Sequence, residues 1–218
     1  MNEIAPGLHH WTARHPTWHP GEFGAEVGGY AALTDTDLLL IDPLVPEADP
    51  GALDGLLREN VSILITIGYH VRSAEELWKR WGWDVPVTVY GPPNAGKRLD
   101  GVSFVELEPN GEGPAGVRAF SIGRPVRGER PLWLPTHNAL AFGDALVTNT
   151  DGELRMWIQD PLNEERLAFY RNRFAPTLAP LLELPVERVL VTHGPPVVKD
   201  AAAALRRAVK APPWYHHG

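Results

Sequence analysis

The chain has 218 residues, 20 basic and 27 acidic side chains, a formal net charge of −7 and no cysteine. Thiolate nucleophiles, iron–sulfur clusters, cysteine zinc sites and disulfides are therefore excluded, and any metal must sit on nitrogen and oxygen ligands, for which nine histidines are present. The acidic balance argues against nucleic acid as a partner, and no apolar run approaches the roughly 20 residues of a membrane span.

One α/β domain spanning residues 1–218 is expected, since a chain of this length buries about 70% of its unfolded surface without a staple. The start, Met-Asn-Glu-Ile-Ala-Pro, lacks the basic and apolar stretches of a secretory leader, so the cytoplasm is the expected location.

The first 25 residues are rich in aromatics and histidine with little periodicity. Strands are expected over 27–33 and 37–42, the second ending in Asp42-Pro43. Asp49-Pro50 reads as a cap opening a helix to about Glu59. A strand over 61–67 follows, and Ser73-Ala-Glu-Glu76 fits a capping box opening a helix to Trp81. Further strands are expected over 85–90, 103–107 and 116–122. Residues 131–134, 139–142 and 145–149 read as a meander turning at His137. The pattern from Asn163 to Glu183 is helical, with Pro176 and Pro180 set to break or kink it. A buried strand over 186–192 and a helix over 199–210 close the chain. This order gives an α/β fold with mixed sheets and helices outside.

Polar groups at the carboxyl ends of strands are favoured site positions in such folds. Four stand out: Asp42, the Gly68-Tyr69-His70 loop, Gly143-Asp144, and Thr192-His193-Gly194. Gly91-Pro-Pro-Asn-Ala-Gly96-Lys97-Arg98 imitates a phosphate loop. However, Arg98 supplies no hydroxyl for magnesium, and Pro92 and Pro93 remove two amides, so an NTPase is excluded.

The segments Ile41-Asp42, Thr66 with His70 and Ala74-Glu-Glu-Leu77, Ala141-Phe-Gly-Asp144-Ala-Leu146, and Val191-Thr-His193-Gly194 resemble, in order and spacing, signature segments of the metallo-β-lactamase fold superfamily. They are most similar to its hydroxyacylglutathione hydrolase-like branch and run from about residue 25 to 198. The resemblance implies a four-layer αββα sandwich with two mixed sheets and a site along one sheet edge. It also implies metal-activated water attacking an ester- or thioester-type bond.

The ligand pattern of that family is eroded here. Against its Thr-His-x-His-x-Asp-His motif the chain reads Thr66-Ile-Gly-Tyr69-His70-Val-Arg72-Ser73. Anchored on Thr66, the ligand positions hold Ile67, Tyr69, Val71 and Arg72. Anchored on the following helix, His70 replaces the last histidine of the motif, and this register is preferred. Ser121-Ile-Gly-Arg124-Pro125 occupies the place of a Pro-Gly-His segment, so Arg124 replaces a ligand. By the same resemblance Asp144 matches a metal-bridging aspartate, His193 the last metal histidine, and Asp42 a structural aspartate at the site.

Two readings follow. In the first, a divergent hydrolase holds at most one zinc, iron or manganese ion on His70, Asp144 and His193, with Asp144 and Tyr69 as catalytic side chains. In the second, a silent, metal-free member of the fold binds an anionic small molecule between Arg72 and Arg124, or a protein partner. The eight tryptophans could equally line a pocket or a homodimer face.

Overall fold

The computed structural model describes residues 1–19, 23–123 and 128–216. Its long sheet is laid down in sequence order: β1 (Asn2–Ala5), β2 (Leu8–Arg14), β3 (Glu26–Leu33), β4 (Asp37–Ile41), β5 (Asn60–Leu64), β6 (Val87–Gly91) and β7 (Phe104–Glu106). The pairings from β1 to β4 are antiparallel and those from β4 to β7 parallel. Parallel neighbours need a crossover, which helices α1 (Ala74–Trp81) and α2 (Pro93–Gly96) supply after β5 and β6.

Opposite it lies a four-stranded sheet of β8 (Arg118–Ala119), β9 (Leu132–Leu134), β10 (Ala139–Ala141) and β13 (Arg188–Leu190), in the order β13-β10-β9-β8. A three-stranded sheet of β11 (Leu146–Thr148), β12 (Leu154–Ile158) and β14 (Trp214–Tyr215) completes the strands. The remaining helices are α3 (Glu164–Phe169), α4 (Ala179–Leu182) and α5 (Ala201–Lys210).

Alternation along the strands explains the layering. In β4, Leu38 and Leu40 pack with Ala74, Leu77 and Trp81 of α1, whereas Leu39 and Ile41 face the second sheet. In β9 and β10, Leu132, Leu134, Ala139 and Ala141 meet them from across the gap. Trp133 and Leu140 point the other way, into a cluster holding Leu146, Met156 and the Ala201, Ala204, Leu205 and Ala208 face of α5. Three apolar seams between four layers make the αββα sandwich expected from the sequence.

Several local expectations are corrected. β2 lies within the stretch that shows no periodicity, because its buried residues do not form one row: Leu8 packs between the sheets and Trp11 on the opposite face, with His9 and His10 between them. The helix expected over 50–59 reduces to a single 3-10 turn at Asp54–Leu56, consistent with the helix cost of Gly51 and Gly55. Ser73 does precede α1, but its hydroxyl accepts the Val45 amide at 3.0 Å instead of capping the helix. Strand 145–149 leaves the meander: β11 pairs with β12, a strand the sequence reading passed over despite its alternating Leu154, Met156 and Ile158. The helix after Asn163 does break near Pro176, passing through a wide turn at Tyr170–Phe174 and a 3-10 turn before α4. His137 is a turn residue, its Nε2 bonded to the Leu33 carbonyl at 3.1 Å.

One hydroxyl ties the long sheet to the strand end that carries His193. Tyr30 of β3 donates to the Val191 carbonyl at 2.7 Å and accepts the Val191 amide at 3.1 Å. Tyr30→Phe strands both Val191 groups in a buried seam, so urea unfolding should show a loss of about 1–3 kcal/mol. A wild-type midpoint would show that water replaces the hydroxyl at no cost.

Candidate functional site

The site forms where β4, β5, β10 and β13 end. β4 stops at Asp42, whose backbone takes φ +44, a conformation that turns the side chain across to the neighbouring strand. The buried carboxylate accepts the Thr66 amide at 2.8 Å, the Thr66 hydroxyl, and His70 Nδ1 at 2.9 Å. With Nδ1 donating to Asp42, His70 directs Nε2 toward Asp144 Oδ1, 3.5 Å away. His193 Nε2 approaches the same oxygen at 3.6 Å, and Tyr69 donates its hydroxyl to the other oxygen, Oδ2. His70, Asp144 and Tyr69 are thus brought together with His193 and Asp42. Tyr69 is half exposed at the mouth, while His70 and Asp144 are buried.

Arg72 also reaches this edge. Its Nη1 donates to the Gly28 carbonyl at 3.0 Å and the Asp42 carbonyl at 2.7 Å, from a residue itself held at φ +37. Burial lowers its pKa, and the charges of Asp42 and Asp144 work against that. Arg124, the other arginine of the expected anion clamp, lies outside the described residues.

A residue the sequence reading missed completes the arrangement. Glu129 is fully buried and accepts the amides of Gly143, Asp144 and Ala145, each at 2.9 Å. It sits in the polar stretch Gly128-Glu129-Arg130, where no strand or motif marks it. Burial, then the charge of Asp144, pushes its carboxyl up to about 8, while the three amides draw it back.

The electrostatics separate the two central groups. Burial works to raise the Asp144 carboxyl, but His70, His193, Tyr69 and Arg72 outweigh it and hold it below the ordinary carboxylate range. Burial brings His193 down to about 4, further lowered by His70 and Arg72 and opposed by Asp144. At neutral pH the site therefore contains an ionised Asp144 and a neutral His193 whose Nδ1 has no hydrogen-bond partner. Asp144 Oδ1, likewise, is buried with none. The Phe23 ring lies edge-on to His193 at 5.2 Å and also contacts Trp214 and His216. His15 stands near enough for its charge to bear on His193.

Two imidazole nitrogens and one carboxylate oxygen converge here, fewer strong ligands than a closed tetrahedral metal site takes. Among the described residues no group of three or more His, Cys, Asp or Glu side chains is placed to hold an ion. His70 and His193 each close on one oxygen of Asp144, whose second oxygen is taken by Tyr69. The Arg72 guanidinium, bonded to the Gly28 and Asp42 carbonyls, is near enough for its charge to bear on Asp144.

No family model matches the chain, and no curated protein matches it. Solved structures do. The DIM-1 metallo-β-lactamase exposed to ceftazidime superposes with a TM-score of 0.67 at 13% identity, over 96% of this chain and 95% of that one. An archaeal metallo-β-lactamase superfamily protein from Sulfolobus tokodaii gives 0.62 at 17% identity, over 94% and 85%. The metallo-β-lactamase FIM-1 from Pseudomonas aeruginosa in its mono-zinc form gives 0.61 at 11% identity, over 95% and 93%. The fold is that of the metallo-β-lactamases. Among the described residues no helix is long and apolar enough to cross a membrane.

The shift at His193 has a measurable sign. A histidine at about 4 in the folded chain and 6.5 unfolded binds fewer protons folded between those values, so stability falls as pH drops. It is unaffected above about pH 7, declines from about pH 6.5, and reaches its full loss below about pH 4, up to about 3 kcal/mol. Urea unfolding at pH 7 and pH 4.5 should show this acid loss reduced in His193→Ala. Equal losses in both proteins would refute it.

Proposed function

We propose that this chain is a hydrolase-like member of its fold that acts on a small molecule with an ester- or thioester-type bond without a bound metal. The observation that carries the reading is the guanidinium of Arg72, pinned by two backbone carbonyls beside Asp42 and Asp144. A fixed positive charge there does what a cation would do for the local field. It adds to the pull of His70, His193 and Tyr69 that keeps Asp144 ionised, and to the burial that keeps His193 neutral, so both are ready before substrate arrives.

The chain's own groups then divide the work. His193 Nδ1, which has no partner, takes a proton from water as the water oxygen adds to the carbonyl carbon. Tyr69, whose hydroxyl lies on Asp144 at the exposed mouth, gives its proton to the departing oxygen or sulfur as the carbon–heteroatom bond breaks. Burial and Asp144 push that hydroxyl well above its ordinary range, so the phenolate at once takes back the proton gained by His193 and both groups return to their starting state. Asp144 holds both partners in place and stabilises the imidazolium that forms. A base at about 4 is weak, so modest turnover is expected. The anion clamp is less favoured: Arg72 directs Nη1 at carbonyls, and the charges of Asp42 and Asp144 already act on it.

Elemental analysis of untagged protein grown with added zinc, manganese and iron should give less than about 0.1 ion per chain, an order of magnitude under single-site occupancy. A stoichiometric ion that disappears in His193→Ala would overturn the metal-free reading and restore the single-ion site. Against a panel of aryl esters and acyl thioesters, Tyr69→Phe and Arg72→Lys should each lower kcat at least about tenfold, roughly 1.4 kcal/mol of barrier. Hydrolysis absent from the wild type, or unchanged in both variants, would overturn the hydrolytic reading.

A further inference from the structure

The turn after β10 carries Asp144, and nothing in its own sequence, Gly143-Asp144-Ala145, fixes where the carboxylate points. Three successive amides of that turn converge on one side chain: Gly143 N on Glu129 Oε1, and Asp144 N and Ala145 N on Oε2. Glu129 comes from a segment 14 residues earlier and is buried with no solvent exposure, so it has no role at the surface. Its backbone neighbour is anchored too, since the Arg130 amide donates to the Thr66 carbonyl at 2.7 Å. Thr66 is the residue whose amide and hydroxyl are held by Asp42. The close fit reaches Gly143, where an added Cβ would lie 2.7 Å from Thr66 Oγ1 and 3.3 Å from the Glu129 carboxyl carbon. The turn is thus clamped between Glu129 and Thr66, with no room for a side chain at Gly143.

We infer that Glu129 is a positioning residue that sets the backbone of Asp144, so that one of its carboxylate oxygens stands between His70 and His193. It touches no reacting atom and acts only through Asp144. A carboxyl group suits the task because, ionised or protonated, Oε2 accepts two amides and Oε1 the third, whereas an amide turns a donor toward an amide donor and breaks at least one of the three bonds. The inference rests on the reading of Asp144 as the working carboxylate, and its test needs neither turnover nor metal.

The test is side-chain NMR of His70 and His193 in the full chain. In Glu129→Gln both imidazole signals should move in the direction seen in Asp144→Asn, and the double variant should match Asp144→Asn alone, since one residue acts through the other. Leu181→Ala, a core cavity elsewhere, should lower the melting temperature and leave both signals in place. If Glu129→Gln lowers the melting temperature but keeps wild-type imidazole signals, Glu129 is a structural brace and the inference fails. Shifts that add to those of Asp144→Asn overturn it as well. Should Glu129→Gln not fold, hydrogen exchange in the wild type decides. The Gly143, Asp144 and Ala145 amides should be protected together, by about 100-fold or more over unbonded loop amides. Exchange at loop rates would refute the clamp. With the hydrolytic reading intact, Glu129→Gln lowers kcat and spares KM. If that reading fails, the imidazole signals still report on Glu129.

Discussion

The Asp42 carboxylate is the constraint from which the site is built. A buried carboxylate is tolerated only when its lone pairs meet donors. Asp42 meets them in the Thr66 amide, the Thr66 hydroxyl and His70 Nδ1, while its own carbonyl accepts Arg72. The partners lie on one short stretch, residues 66–72, so satisfying one charge fixes the end of β5 and the whole loop that leads into α1. The positive φ at both Asp42 and Arg72 belongs to the same arrangement: two unfavourable backbone conformations are joined by the bond between Arg72 Nη1 and the Asp42 carbonyl.

From that anchor the order of influence runs outward. His70 is oriented by Asp42 and so presents Nε2 to Asp144. Asp144 is held at its backbone by Glu129 and at its side chain by Tyr69. His193 comes last, on a strand end tied to the long sheet through Tyr30 and Val191. A rigid sheet edge thus supports a cluster in which every polar side chain but one has its position determined by another. The exception is His193, whose Nδ1 is unbonded and whose neighbours are aromatic rings.

How much of this could be read from the sequence follows from the kind of signal each residue carries. Asp42, Asp144 and His193 were legible because each ends an apolar strand, and hydrophobic runs are the clearest pattern a sequence offers. His70 was legible through the helix after it. Glu129 was not, because a buried carboxylate in a polar loop looks like any surface acid until three amides are found around it. The capping box misled for a related reason. Ser73 had the right spacing, yet the Val45 amide, 28 residues away, claims its hydroxyl. β2 escaped because histidines interrupt its alternation, and the inward His10 stacks on Tyr30 at 4.9 Å between ring centres.

The histidine count suggested a metal site rich in nitrogen ligands, but placement matters more than number. His137 braces a turn, His10 packs in the sheet, and His216 joins the aromatic group beside His193. Among the described residues, His70 and His193 are the histidines that converge on one carboxylate oxygen at the strand ends, with an arginine near enough for its charge to act there. A divalent ion and a guanidinium both stabilise buried carboxylates, but an arginine carries its charge permanently and fixes its geometry through directed bonds. Arg72, anchored to two carbonyls, is such a residue, and the charges of Asp42 and Asp144 bear on it in turn.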